Sequence, residues 1–380
     1  MKTNTKTVVS ITKVEHSIEK AVKKAIHLAG GMETVVSKGD RVYLKPNFVA
    51  PRDSSKGVTT NFEVIRVVAE EVRRCGGIPI IFETPAIEFD QKTVYDYLGV
   101  FDFAQQNGIH LTNSSVDLIR VPVPGGNVFK SLKIPQILHK AKIINLPKLK
   151  THVSAKMTCG MKNLIGLLPD SEKRKVHIWD VHESIADIFK VLRPVLTVVD
   201  ATTCMEGDGP TYGDKVDLGL IISGKDTLAT DKVCSQIIGL PWEEVKYIRL
   251  ANSKSNMTKV NVVGESITDI QSHFHIPQKS SVFHFCFSLI YIFDVLFSKI
   301  YGKPLNQFLY STGYVGTNPK LIKDKCNGCG DCVEVCPVED VLKIDTYEID
   351  YKKCIRCLDC YFVCSKQAIK VKGVSRPTES

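Results

Sequence analysis

Two runs near the end of the chain, "CNGCGDCVEVCP" from Cys326 and "CIRCLDCYFVCS" from Cys354, hold eight of its 13 cysteines. Each reads Cys-x2-Cys-x2-Cys-x3-Cys. Short loops at this spacing let several thiolates converge on one iron–sulfur cube while backbone N–H groups point at its sulfides. Zinc knuckles and secreted disulfide frameworks use other spacings. Gly328 and Gly330 suit loops this tight. The second run starts 28 residues after the first (Cys354 against Cys326), and strand-like tails recur behind both, "VLKID" and "AIKVK". The segment is an internal duplication.

The spacing is the ligand pattern of bacterial two-cluster ferredoxins, in which the fourth cysteine of each run crosses to the other cluster. Cys326, Cys329, Cys332 and Cys364 are thus expected to hold one [4Fe-4S] cluster, and Cys354, Cys357, Cys360 and Cys336 a second. Pro337 follows the first run, whereas Ser365 stands where the second would carry its proline.

A second concentration of reactive groups lies in "NLPKLKTHVSAKMTCGMKNLIGLLPDSEKRKVHIWDVHE", Asn145 to Glu183. Lys148, Lys150, Lys156 and Lys162 occur there with His152 and Asn163, and Gly160 and Gly166 permit close backbone approach. Ammonium groups bind carboxylate or phosphate, and a partly desolvated lysine or a histidine can donate a proton near neutral pH. Charge runs usually face water, so composition by itself favours a solvated basic loop over an anion pocket. His177 and His182 fall on different sides of a helix, without a His-Glu-x2-His motif, and read as ordinary polar residues, His177 the more open of the two because it ends the basic run. "DATTCMEGDGPTYGD", from Asp200, begins at a strand end, and its glycines suit backbone contact with a ligand, with Glu206 or Asp208 orienting a metal or donor. "GLIISGKD" fails as a P-loop, because Asp226 replaces the Ser/Thr and "LIIS" is strand; no Gly-x-Gly-x2-Gly follows a strand either.

The elements that must position these groups alternate. β-branched runs ("TVVSI", "RVYLK", "IPIIF", "AKIINL", "VLTVVD", "DLGLIIS") are interleaved with helical patterns such as Glu15 to Ala29 and Phe62 to Cys75. This predicts an α/β fold: a mixed, mostly parallel sheet covered by helices, with a small C-terminal α+β two-cluster ferredoxin domain. "VPVPGGNVFKSLKIP" predicts a hairpin turning at Gly125-Gly126. The expected domains are 1–270, an aromatic-rich linker region at 271–320, and 321–375. Ligands in open α/β sheets bind beyond strand carboxyl ends, here Lys45-Pro46-Asn47, Glu83-Thr84-Pro85, Asn145 to His152 and Asp200 to Pro210. The linker segment "VFHFCFSLIYIFDVLFSKIYG" is too short an apolar run to span a bilayer. It is expected to dock between the modules, with peripheral membrane contact through 282–301 as the alternative.

The motifs "LKPN", "NLPKLKTH", "MKNLIG", "MEGDGP" and "DTLATD", followed by the double cysteine run, resemble the domain-of-unknown-function family 362 (DUF362) proteins that carry a C-terminal ferredoxin domain. The resemblance covers nearly the whole chain. It implies that Lys45, Asn47, Lys148, Lys150, His152, Lys162, Asn163, Glu206, Gly207, Asp208 and Gly209 line a site, and implies no reaction. The aromatic segment departs from the pattern.

The formal charge is +9, yet Leu321 to Ser380 carries ten Lys/Arg and ten Asp/Glu. Eight thiolates against two cubes of charge +2 add about −4, so a loaded C-terminal module is acidic and the body basic. The body has no nucleic-acid motif, and a small anion fits it better. The amino terminus shows no export signal, and five further thiols suit a reducing, anaerobic cytoplasm. The expected function is an iron–sulfur oxidoreductase taking electrons from a low-potential donor of ferredoxin or flavodoxin type. The lysines hold the anion and His152 or Lys162 supplies protons. The alternatives are an electron carrier or redox adaptor, and a metal-dependent isomerase or cofactor-maturation factor using Glu206, Asp208 and histidines.

Overall fold

The sheet of the body is assembled from β1 (Thr7–Lys13), β2 (Arg41–Lys45), β3 (Ile78–Ile81) and β4 (His110–Leu111), joined after a separate hairpin, β5 (Leu118–Pro122) with β6 (Ser131–Pro135), by β7 (Lys142–Asn145), β8 (Lys148–His152), β9 (Lys156–Thr158), β10 (Leu196–Glu206), β11 (Asp214–Gly224) and β12 (Val260–Gly264). Its order is β12-β1-β11-β10-β7-β2-β3-β4, with β8 and then β9 continuing from the far half of β10. Pairings through β7, β2, β3 and β4 are parallel, while β11 runs antiparallel to both β1 and β10. The computed structural model describes residues 7–112, 117–253, 260–277 and 318–371, with isolated positions 297 and 305. Apart from position 297, the aromatic segment 282–301, expected to dock between modules or at a membrane, therefore lies outside the described residues.

Pleating sends alternate strand residues to opposite faces, and both faces are apolar because helices cover each. Val42 and Leu44 enter one core with the helices Ile18–Leu28 and Phe62–Arg74; Tyr43 enters the other with Val181–Val191 and Thr227–Ile237. Local signals set the helix starts. Ser17 and Asn61 accept backbone N–H bonds as N-caps, and Asp226 caps Thr227–Ile237 by accepting from Ala229 N. "LIIS" is strand in β11, which is why a phosphate-binding loop cannot form there. The predicted hairpin is present, its loop carrying Gly125 and Gly126 and held by Asp187, which accepts from the backbone N–H groups of Asn127, Val128 and Phe129.

One expectation fails. "KLKTH" is a fully buried strand, β8, and not a solvated basic loop. Pairing with β10 and β9 satisfies its backbone, and local carboxylates and carbonyls neutralise its lysines, so the run's charge no longer requires water.

Candidate functional site

Where β2, β3 and β7 end, a polar network fills the interior. The Lys45 ammonium pairs with Glu83 and donates to Pro46 O at 2.8 Å. Burial pushes Glu83 up to about 7, against the pull of Lys45, and pushes Lys45 down. Gly166 packs directly on this pair: a Cβ there would sit 2.3 Å from Glu83 Oε1 and 2.8 Å from Lys45 Nζ and would force the pair to shift. Asn163 ties the strand ends together. Its Nδ2 donates to Lys45 O, Pro46 O and Asn145 Oδ1 at 2.9–3.3 Å, and its Oδ1 accepts from Asn47 Nδ2 at 3.0 Å. Lys150 donates to Asn47 Oδ1 (3.3 Å) and Val58 O (2.5 Å). Burial, with Lys162 the foremost of several neighbouring cations, holds Lys150 well below the ordinary lysine range.

Lys148 has a different task. Its ammonium meets Asp200 Oδ2 at 2.8 Å with both side chains fully buried, and the same oxygen accepts from Asn61 N, the cap of the helix Phe62–Arg74. This pair joins β8, β10 and that helix.

Lys162 stands apart. It projects from the helical turn Gly160–Asn163, is half-buried, and among the described residues has no hydrogen-bond or ion-pair partner. Burial lowers its pKa to about 8. The turn is fixed from behind by Asp231, which accepts from Gly160 N (2.7 Å) and Met161 N (3.0 Å) and is itself pushed up to about 7 by burial. His152, at the end of β8, is buried; its Nδ1 accepts from Ser154 N and Ala155 N at 3.0 and 3.2 Å, so its proton sits on Nε2. Burial, then the charge of Lys162, then His177, Lys150 and His182, hold it well below the usual histidine range. His152 is therefore a neutral N–H donor, not an imidazolium acid at neutral pH. With its proton on Nε2, a neutral His152 can donate a hydrogen bond, and Lys162 is the other group expected to supply a proton. His177 and His182, read as ordinary helix residues, both bear on His152, and His182 is buried against the Tyr247 ring.

The structure thus brings Lys45, Asn47, Lys150 and Asn163 into one hydrogen-bonded cluster, and the charge of Lys162 acts on both Lys150 and His152. The second glycine-rich segment lies outside that cluster. Glu206 Oε2 accepts from His275 N at 2.7 Å, Gly207 O accepts from Thr151 Oγ1, Gly209 O accepts from Val153 N, and Asp208 is exposed. These contacts lash the loop to the end of β8. Among the described residues, Glu206, Asp208 and the histidines do not gather into a set of three metal ligands. Glu83, Asn145 and Asp231 are not among the expected site residues; their sequence signals are polar strand ends for Glu83 and Asn145, the latter heading "NLPKLKTH", and the close of "DTLATD" for Asp231.

In the C-terminal module the strands Pro319–Leu321 and Ile369–Val371 pair antiparallel, closing its two ends on each other. Cys326, Cys329, Cys332 and Cys364 line one pocket, and Cys336, Cys354, Cys357 and Cys360 line another. Fourth cysteines have crossed over in both. Gly328 and Gly330 take φ of 73° and 89°, and the equivalent positions of the second run, Arg356 and Leu358, adopt the same left-handed backbone at 61° and 66° without being glycine. Burial pushes the Cys357 thiol up to about 12 and raises Cys332, Cys354 and Cys360 as well. A thiolate there needs positive charge inside the cavity, and iron supplies it. The residues fit an iron–sulfur group.

Residues 42–236 match a family described as a domain of unknown function (DUF362), and residues 320–342 match a 4Fe-4S binding domain. A thylakoid-associated protein of Synechocystis sp. is 31% identical over 237 residues, covering 59% of this chain and 71% of its own length. An uncharacterized protein of Methanocaldococcus jannaschii is 40% identical over 60 residues, 16% of this chain and 23% of its own. Among the described residues, no helix is long and apolar enough to cross a membrane. Since that family match spans more than half of the chain, the chain belongs to the DUF362 family, and it carries a 4Fe-4S binding domain C-terminal to the matched region.

Proposed function

We propose that this protein is an iron–sulfur oxidoreductase in which a small anion binds in the body at Lys162 and His152 and is reduced with electrons entering through the cysteine module. The observation that carries this reading is Lys162: a half-buried ammonium without a partner among the described residues, beside a histidine whose free Nε2–H can only donate. Neighbouring lysines are already engaged by Glu83, Asp200, Asn47 and Val58, so they shape the field and do not grip the ligand. With a pKa of about 8, Lys162 is charged at neutral pH yet releases its proton at little cost, which suits holding an oxyanion and protonating it.

The two cysteine sets hold two [4Fe-4S] clusters in this reading, and such groups supply one-electron transfer at low potential. Electrons come from a ferredoxin- or flavodoxin-type donor, since no nucleotide fingerprint supports a hydride donor. A cytoplasmic, reducing and oxygen-poor setting accords with Cys75, Cys159, Cys204 and Cys234, all free. A carrier or adaptor is the second reading, favoured by the exposed apolar side chains Val333, Val335, Phe362 and Val363 on the module.

Calorimetric titration of the cluster-loaded protein with small carboxylates and phosphates separates the two. Binding by the wild type and by Lys162→Arg, lost in Lys162→Ala with the cluster spectrum unchanged, supports the enzyme. Equal binding, or none, by wild type and Lys162→Ala favours the carrier.

A further inference from the structure

The body touches the cysteine module asymmetrically. Arg52, only 1% exposed, donates through Nη2 to Arg356 O at 2.9 Å, between the ligands Cys354 and Cys357. Lys56 pairs with Asp359, between Cys357 and Cys360, and Tyr97 Oη donates to the other oxygen of that carboxylate at 2.8 Å. All three body residues bear on the second run.

Arg52 is also under-satisfied. Its Nε and Nη1 are buried without a hydrogen-bond partner, and its guanidinium lies over the Tyr212 ring, 4.5 Å from the centroid. A buried cation with open donors is costly unless negative charge stands nearby. Its hydrogen-bond partner Arg356 lines the cavity of Cys336, Cys354, Cys357 and Cys360. Four thiolates around a cube of charge +2 leave about −2 there. Arg356 makes the same point from the other side. It holds a left-handed backbone where the first run has Gly328, and it keeps it through Asn318 Oδ1, Cys354 O and the bond from Arg52.

The segment carrying Arg52 reaches the lysine cluster as well. Asn47 N donates to Thr60 Oγ1, Lys150 donates to Val58 O, and Thr59 Oγ1 donates to Arg52 O. Residues 47–60 thus form a continuous packed connection between the cluster of lysines and the second cysteine run.

We infer that the cavity of Cys336, Cys354, Cys357 and Cys360 is the body-facing redox site, and that Arg52 is a positioning residue which raises its reduction potential above that of the other cavity. Reduction adds one electron to the occupant, and a fixed cation stabilises the extra negative charge. An electron entering at Cys326, Cys329, Cys332 and Cys364 from a low-potential one-electron donor then runs downhill towards the body. The inference rests on both cavities holding clusters; it does not require a substrate.

The test is a reductive titration of full-length, cluster-loaded protein followed by electron paramagnetic resonance. Wild type is expected to show two midpoints, the higher disappearing in Cys336→Ala. Arg52→Gln should lower that higher midpoint alone, and Arg52→Lys should restore most of it. Lys56→Gln, at a half-buried position, should lower the same midpoint less, and it decides the matter if Arg52→Gln fails to load. A single midpoint in the wild type, unchanged midpoints in Arg52→Gln or, where that variant does not load, in Lys56→Gln, or a shift confined to the midpoint that survives in Cys336→Ala overturns the inference. None of these outcomes depends on whether Lys162 binds an anion.

Discussion

Each cavity of the cysteine module takes three of its four thiols from one short run and one from the other, whereas the lysine cluster of the body draws on the ends of β2, β3, β7 and β8 and on the turn Gly160–Asn163. The two regions also differ in how charge is met. Among the described residues of the body, the buried ammonium groups of Lys45, Lys148 and Lys150 have a counter-charge or carbonyl in place while Lys162 is left open; in the module burial pushes the thiols up, so thiolates there need a cationic partner. The difference teaches where each half is fragile. Removing a module ligand should cost a cofactor and little of the fold. Removing a paired lysine should cost the fold, and removing the open one should cost only binding.

The largest effect is expected at the crossover. Cys336→Ala should lower iron and sulfide from about eight to about four of each per chain, since each cube has four of each. Wild-type protein with about four iron and every cysteine reduced would break the comparison by leaving one cavity without a role.

Next comes Lys148→Met, which strands the Asp200 carboxylate in the core. A loss of about 3–5 kcal/mol is expected from denaturant unfolding, as for other buried pairs deprived of one partner. A loss below about 1 kcal/mol would show that Asn61 N and the Thr202 hydroxyl already neutralise Asp200 without Lys148.

Lys162→Met is the contrasting change at a similar side chain. Its unfolding free energy should move by less than about 1 kcal/mol, because no ion pair is broken. Its anion affinity should fall by about ten- to a hundredfold, equivalent to about 1.4–2.8 kcal/mol.

The smallest effect is one of pH. Lys162 holds an anion only while protonated, so affinity should be level below neutrality and decline as pH rises past about 8, where the ammonium loses its proton. Lys162→Arg, charged throughout, should remove that decline. A decline that persists in Lys162→Arg would place the titrating group elsewhere.

These two regions were not equally legible in the sequence. Cysteine ligation is written in local spacing, so the duplicated run led directly to the crossed sets that line the cavities. The α/β sheet was legible too, because β-branched runs and helical periodicities alternate cleanly. The lysine site was only half legible. Lys148, Lys150 and Lys162 look alike in a basic run, and their different fates depend on Asp200, Val58 and Asn47, which no local pattern connects to them. Composition even pointed to a solvated loop, since the partners that permit burial lie far away in sequence. Glu83 and Arg52 show the same limit: one was visible as a polar strand end, the other sits in "VAPRDSSKG" with nothing to mark it as a buried contact of the cysteine module.

In the proposed reaction, electrons entering the cysteine module are spent on an anion held at Lys162. Anaerobic protein is reduced with a low-potential one-electron donor, candidate carboxylates and phosphates are added, and reoxidation of the iron–sulfur absorbance is followed in time. The account predicts that at least one anion reoxidises the wild type well above the buffer rate, that Lys162→Ala slows this at unchanged cluster content, and that NAD(P)H cannot replace the donor. Reoxidation no faster than buffer for every anion, together with Lys162→Ala indistinguishable from wild type, would contradict it and leave the protein an electron carrier.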